Sequence, residues 1–431
     1  MMRRAGTAVS TLALAMAAQP ALATTLQEAL AQAYRTNPTL NAARAQLRAI
    51  DEDVPLAKAD GRPDIGATGT YEEQLHREFP GSTPKRSVSG QADIVVPVYQ
   101  GGVVRNAIRS AKKSVSAGEA DLRATESSVF ANVVAAYLDV IADSAVVTFN
   151  EQNVRSLEVN LQASTDRFRV GDLTRTDVAQ SDTRLALARA SLESAQAQLI
   201  SSKERYISLV GSEPVDLQPP PPLPGLPATP DSAVEVALRD NPDILSAKST
   251  REAAHYDVNS AKGQIAPRVS GFVRGGYTDY LDSQQVIGPV SFPYGSVKSA
   301  AAGVQVTLPI YQGGRPGALT RRAIARESQA LEQTVLTERS VIAQTRSAYA
   351  NWQASLQTIE STRKAVGSGG LSLEGVQAEN RAGTRTILDI LDAQRDLLNA
   401  QVQYVSAQRN AYVAGFSVIA AMGHAEARDL G

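Results

Sequence analysis

The segment Val96-Pro97-Val98-Tyr99-Gln100-Gly101-Gly102 returns 212 positions later as Leu308-Pro309-Ile310-Tyr311-Gln312-Gly313-Gly314. Gly171 has its counterpart Gly383 at the same offset, and Asn37-Pro38 returns as Asn241-Pro242 at an offset of 204. One match would be chance; together they describe a chain written twice. The growth in offset assigns eight additional residues of the second copy to the stretch between Pro267 and Leu308, where a tolerant loop is expected.

Both copies follow one plan: a helix, two strands, a very long helix, a tight break and another helix. The first helices are expected over Leu26 to Ala59 and Ser232 to Lys262. The strands alternate with period two. Val88, Gly90, Ala92, Ile94, Val96 and Val98 share one face, while Ser89, Gln91 and Asp93 share the other. In the second copy Val304, Val306, Leu308 and Ile310 oppose Gln305 and Thr307. Ile65 to Tyr71 and Val269 to Tyr277 complete a set of four. Length and alternation suit tilted membrane strands with apolar side chains outward; a half-buried sheet of a soluble protein carries the same pattern. Four strands cannot close a membrane barrel, and an open sheet edge is forbidden in lipid. If the strands lie in the membrane, copies must join.

The Gly-Gly pairs permit a sharp turn from strand to helix. From Val103 to Phe168 there is no proline and little glycine, which predicts a helix of roughly 100 Å. Ile390, Ala393, Leu397, Ala400, Tyr404, Ala407 and Ala411 are spaced as a heptad seam. Leu388, Leu391, Leu398, Val402 and Val405 form a second seam, broken by Arg395. Between them runs a polar stripe of Asp389, Asp392, Asp396, Asn399, Gln403, Ser406 and Asn410. Two seams flanking a polar face suit a helix with a neighbour on each side, as in a closed ring; a broad amphipathic face is the plainer alternative. Gly367-Ser-Gly-Gly370 is expected to interrupt this helical region, as a hinge or as a close packing contact.

The N-terminus reads as a secretory signal over residues 1–23, with Arg3 and Arg4, an apolar stretch, and a small-residue cleavage site at Ala21-Leu22-Ala23. The remaining organisation is a first repeat over 24–213, a Pro-rich extended linker over 214–230, a second repeat over 231–423 and a tail over 424–431. No membrane-spanning helix is expected. Formal charge is −1, so no basic field points to nucleic acid. There is no cysteine, which excludes disulfides, thiolate metal sites, thiol nucleophiles and a lipid anchor on cysteine. Neither a metal-ligand cluster, a phosphate-binding glycine loop nor a nucleophile with a base is present, so no cofactor and no enzyme activity are expected.

Arg167-Phe-Arg-Val-Gly-Asp-Leu-Thr-Arg-Thr-Asp-Val178 and Ala382-Gly-Thr-Arg-Thr-Ile-Leu-Asp-Ile-Leu-Asp-Ala393, with the paired Tyr-Gln-Gly-Gly turns and the Asn-Pro helices, resemble the TolC family of outer-membrane factors. The resemblance covers nearly the whole chain after residue 23. It implies an α+β membrane protein: a homotrimer whose chains each give four strands to a twelve-stranded outer-membrane β-barrel. Long antiparallel helices would continue it as a periplasmic α-barrel. It further implies a passive exit duct of a Gram-negative outer membrane, lying in outer-membrane lipid. The duct would be coupled to a periplasmic adaptor and to an ABC or proton-driven inner-membrane transporter, conducting proteins or small toxic compounds.

By the same resemblance Asp389 and Asp392 form carboxylate rings at the periplasmic tip, where crowding raises their pKa and attracts cations. Arg385 matches the family's lock arginine, and Thr176 and Asp177 match its partners. Gly171 and Gly383 match turns that meet the adaptor. Asn380 stands where a lock tyrosine is expected, with Arg175, Asp172 and Arg381 nearby as substitute charges. The alternative function is a periplasmic coiled-coil scaffold without a pore.

Overall fold

A computed structural model describes residues 24–76, 84–223, 225–281, 284–287 and 289–425. The expected signal segment and most of the C-terminal tail lie outside the described residues. The elements are α1 (Leu26–Thr36), α2 (Pro38–Asp51), α3 (Asp53–Ala59), β1 (Asp64–Glu73), β2 (Arg86–Gln100), α4 (Val103–Arg169) and α5 (Arg175–Val210) in the first copy. The second has α6 (Pro230–Asp240), α7 (Pro242–Gly263), β3 (Arg268–Asp279), β4 (Gln284–Ile287), β5 (Val290–Pro293), β6 (Val297–Thr307), α8 (Arg315–Arg381) and α9 (Ile387–Ala421). The α+β fold with an internal repeat is as the sequence predicts.

Two compact units are present. One comprises the residues up to Arg35, Asn132–Pro222 and Ile359–Arg409; the other comprises Thr36–Ala131, Leu223–Thr358 and the residues from Asn410 onward. The second unit contains an antiparallel sheet ordered β1-β2-β3-β6. Its register places Ile65, Ile94, Val273 and Ala302 side by side, and Ala67, Ala92, Gly275 and Ala300 in the next row of the same face. That face is apolar and exposed: Ile65 is 74% and Val304 71% accessible. The opposite face carries Thr68, Gln91, Asp93, Arg274 and Gln305, with Val95, Phe272, Val297 and Ala301 as apolar members. The Phe272 ring lies over Gly303, where any side chain would strike it, and the Arg274 guanidinium sits 4.9 Å from the ring centroid. Among the described residues the outer edges of β1 and β6 pair with no other strand.

The eight additional residues fall in the β3–β6 connection, which contains the hairpin β4–β5. The first helix of each copy is not continuous but breaks at the Asn-Pro pair. Proline drives the preceding residue to extended backbone (ψ 123° at Asn37, 125° at Asn241). Each asparagine then caps the next helix, Asn37 accepting from the Thr39 and Leu40 amides and Asn241 from that of Asp243.

The last strand was expected to include Leu308 and Ile310 but ends at Thr307. Pro309 follows at once and cannot donate to a ladder. Pro97, in the equivalent position of central β2, is accommodated by a register shift between Pro97 and Tyr99. Finally, α8 runs unbroken through Gly367–Gly370. At Gly369 an added Cβ would stand 3.5 Å from Leu397, ordinary packing distance, whereas Gly367 and Gly370 face open space.

Two tyrosines 212 positions apart secure the starts of the copies. Tyr137 on α4 is fully buried, and its hydroxyl lies 2.9 Å from the Thr24 carbonyl oxygen and 2.6 Å from that of Gln218. Tyr349 on α8 donates to the Ala228 carbonyl at 2.8 Å. Thr24 and Ala228 are themselves 204 apart, so both copies repeat one anchor. One window of α4 is apolar enough by length and composition to cross a membrane, at mean hydropathy 1.6. Half of that window is buried within the protein, so packing accounts for its apolarity.

Gly101 (φ +62°) closes the turn from β2 into α4, and a Cβ there would meet the Gly263 carbonyl. Its counterpart Gly313 (φ +59°) faces open space. Gly313→Ala should therefore cost about 1 kcal/mol of backbone strain alone. Gly101→Ala should cost clearly more, read as a lower midpoint in thermal unfolding followed by circular dichroism. Equal midpoints would contradict the close approach at Gly263.

Candidate functional site

The candidate tip lies in the first unit, where α4 turns into α5 and α8 into α9. At both turns a left-handed glycine ends the long helix, with Gly171 at φ +85° and Gly383 at φ +81°. Gly171 N–H donates to the Phe168 carbonyl (3.0 Å) and Asp172 N–H to that of Arg167 (2.9 Å). Gly383 N–H and Thr384 N–H do the same to Asn380 and Glu379, at 3.0 Å each. This satisfies the carbonyls that a helix end leaves unpaired.

Three residues on, each following helix starts with a reciprocal cap. The Thr174 amide and hydroxyl donate to the Asp177 carboxylate at 2.9 and 2.7 Å, and the Asp177 amide returns to the Thr174 hydroxyl at 3.3 Å. Thr386 and Asp389 repeat this at 2.8, 2.7 and 3.3 Å. The Thr174 amide and then its hydroxyl hold the Asp177 carboxyl below its ordinary range. The Thr386 hydroxyl and then its amide do so for Asp389. Within one chain the pressure on Asp389 is thus toward ionisation.

Arg385 does not reach Thr176 or Asp177 within the chain. Its Nε donates to Glu379 Oε2 at 2.9 Å, and Nη1 lies 3.7 Å from Asp389 Oδ1. The bond to Glu379, followed by the charges of Glu379 and Asp389, raises the Arg385 pKa further. Thr176 is exposed. Asp392 bonds Arg184 of α5 at 2.8 Å and lies 3.4 Å from Arg395. Asn380, at the position of the expected tyrosine, donates its side-chain amide to the Arg385 carbonyl at 2.7 Å. It holds the turn from within by a hydrogen bond.

Sequence reading missed Glu379 and Arg184. Arg184 was findable: it stands one heptad after Asp177 and so shares its helix face. Glu379 lies before the turn glycine, and only the fold of the turn returns it to Arg385.

Behind the tip, Val154, Leu157, Leu185, Ala188 and Leu391 form a core shared by α4, α5 and α9. Ile390, Ala407 and Ala411 of the first expected seam are buried, and so is Leu391 of the second, while Asp396, Asn399, Gln403, Ser406 and Asn410 are exposed. Gln394 crosses from α9 to α4, accepting from Asn160 (3.0 Å) and donating to Ser156 (2.7 Å). Among the described residues no group of His, Asp and Glu is placed to hold a metal.

The sequence profile of a family described as outer membrane efflux protein matches residues 10–212 and 233–424. The chain is 32% identical over 417 residues to the outer membrane efflux protein BepC of Brucella suis biovar 1 (strain 1330), covering 96% of this chain and 88% of that one. It is 25% identical over 418 residues to the outer membrane protein TolC of Escherichia coli (strain K12), covering 94% and 83%. Among solved structures, the outer membrane protein VceC of Vibrio cholerae superposes with a TM-score of 0.76 at 23% identity, covering 92% and 96%.

The two caps give a pH prediction. Their carboxyls are depressed in the folded state, so their contribution is full above the unfolded carboxylate range of about 4 and is lost as pH falls through the lower folded values. Thr174→Ala should cost about 0.5–2 kcal/mol at neutral pH, seen as faster amide exchange over residues 175–178. The difference from wild type should shrink as pH is lowered below about 4. A difference independent of pH would remove Asp177 from the cap.

Proposed function

We propose that this chain, which belongs to the outer membrane efflux protein family, is the outer-membrane exit duct of a tripartite export system. The carrying observation is the sheet, with an exposed apolar face, a polar opposite face and two unpaired edges. In lipid such edges must be satisfied by strands, and copies of the same chain supply them. Three copies would give twelve strands, the number that the family resemblance implies. The polar face would then line a wet bore and the apolar face meet lipid. The cargo, protein or small toxic compound, leaves passively, delivered by a periplasmic adaptor and an energised inner-membrane transporter.

The tip is read as the gate. Asp389 and Asp392 of the copies would face one another around the axis and attract cations. Arg385 would hold neighbouring coils inward through Thr176 and Asp177 of an adjacent hairpin, exchanging its bond to Glu379 for one across the interface. The turns at Gly171 and Gly383 are exposed, with open space where a side chain would stand, which suits the close approach of an adaptor backbone.

Purified chain in a planar lipid bilayer should give discrete channels, and crosslinking should stop at a trimer. A water-soluble protein without conductance would favour the pore-free scaffold. Arg385→Ser should raise single-channel conductance several-fold. Asp389→Asn combined with Asp392→Asn should relieve block by divalent cations. Conductance unmoved by Arg385→Ser would exclude that arginine from gating.

A further inference from the structure

A cleft of about 640 Å3 opens where β2 runs into α4, lined by Val98, Tyr99, Arg105, Ile108, Arg109 and Lys112 among others. The three cations stand at i, i+4 and i+7, along one face of the first turns of α4, and all are exposed. No carboxylate precedes Glu119 on this helix. A helix start is already electropositive and favours acidic side chains, so an acid-free, basic start opposes the local rule. Such violations gather at functional places.

The partners are few. Among the described residues neither Arg105 nor Lys112 has an ion-pair partner, whereas adjacent Lys113 is paired with Glu252 at 2.6 Å. Arg109 lies 5.8 Å from the ring centroid of Tyr256. Asp60, on the facing turn, offers its backbone carbonyl to Gln100 at 3.2 Å.

The cleft is continuous with the apolar face of the sheet. Val96 and Val98 are the last exposed apolar residues of β2, Val98 being 69% accessible, and Tyr99 follows at 52%. An aromatic side chain at the end of an apolar band is the composition of a membrane boundary. The second copy does not repeat the site. α8 shares the acid-free, basic start, with Arg315, Arg321, Arg322 and Arg326 ahead of Glu327, but Gly317 and Ile324 stand at the positions of Arg105 and Lys112 and only Arg321 repeats Arg109.

We propose that this cleft binds the headgroup of an anionic glycerophospholipid at the rim of the membrane. The phosphate lies on Arg105, Arg109 and Lys112. Tyr99 sits at the glycerol level, and the acyl chains follow Val98 and Val96 along the outer face of the sheet. The inference rests on the reading that the sheet lies in lipid.

The test uses the full chain assembled in nanodiscs of mixed phosphatidylglycerol and phosphatidylcholine, with retained lipid counted by native mass spectrometry after mild detergent stripping. Phosphatidylglycerol should be retained in preference. Arg105→Gln/Arg109→Gln/Lys112→Gln should erode that preference by roughly five-fold per cation, while Arg321→Gln leaves it in place. Excess inorganic phosphate should not displace the lipid, because the apolar contacts belong to the site. Equal retention of the two lipids, an unchanged triple variant, equal loss in Arg321→Gln, or displacement by phosphate would each overturn the assignment. Should the triple variant not assemble, Lys112→Gln alone and the wild-type comparison of the two lipids decide the matter. Conductance in the same lipid mixture separates the two readings. Channels without lipid preference refute the cleft alone; preference without channels refutes the duct alone.

Discussion

Along β1 and β6 a row of backbone N–H and C=O groups faces outward with no strand beside it in the chain. In water these groups would be hydrated, but in hydrocarbon each would cost several kcal/mol. The apolar face of the same sheet, exposed at Ile65, Val98, Val273 and Val304, forbids the watery solution. The two conditions are compatible only if other strands close the sheet. Outer-membrane residence and the need for copies both descend from this one accounting of hydrogen bonds.

The internal repeat explains how one chain builds so much from so few devices. Each copy breaks its first helix at Asn-Pro, anchors its start through a tyrosine on its long helix, turns at a left-handed glycine and restarts with a threonine–aspartate cap. Beyond the added β4–β5 hairpin and the earlier end of the last strand, the copies differ in what surrounds equivalent residues. Gly101 is pressed against Gly263 while Gly313 is free. Pro97 is absorbed within a central strand while Pro309 follows the end of an edge strand. The basic cleft after β2 has no duplicate after β6. Divergence has therefore acted on what each repeat meets, and the turn chemistry has been retained.

At the tip the same carboxylates serve structure and, on the reading advanced above, gating. Asp177 and Asp389 each cap a helix, which fixes their positions and favours the ionised form. A gate built on capping residues gains fixed geometry without further ordering cost. Arg385 is different: its bonds to Glu379 and Asp389 are exposed and one is long. Exposed ion pairs are weak, so this arginine is the member of the group that can change partners at low cost.

Much was legible in the residues alone. Period-two alternation set the strands and their two faces, and matched segments set the repeat. The change in offset alone locates the long β3–β6 connection, because these are local properties of spacing. Tertiary structure decided what spacing cannot express. Gly367–Gly370 lie within a continuous helix despite the low helix propensity of glycine, and of the three glycines only Gly369 packs, against Leu397. Glu379 meets Arg385 only because the turn folds back, and Arg184 meets Asp392 only because α5 and α9 lie together. Likewise the cations of Arg105, Arg109 and Lys112 become a cleft only where β2 ends in an exposed valine and tyrosine. Sequence fixes what each residue can do within a turn or two; which groups confront one another across distant segments depends on the packing that brings them together.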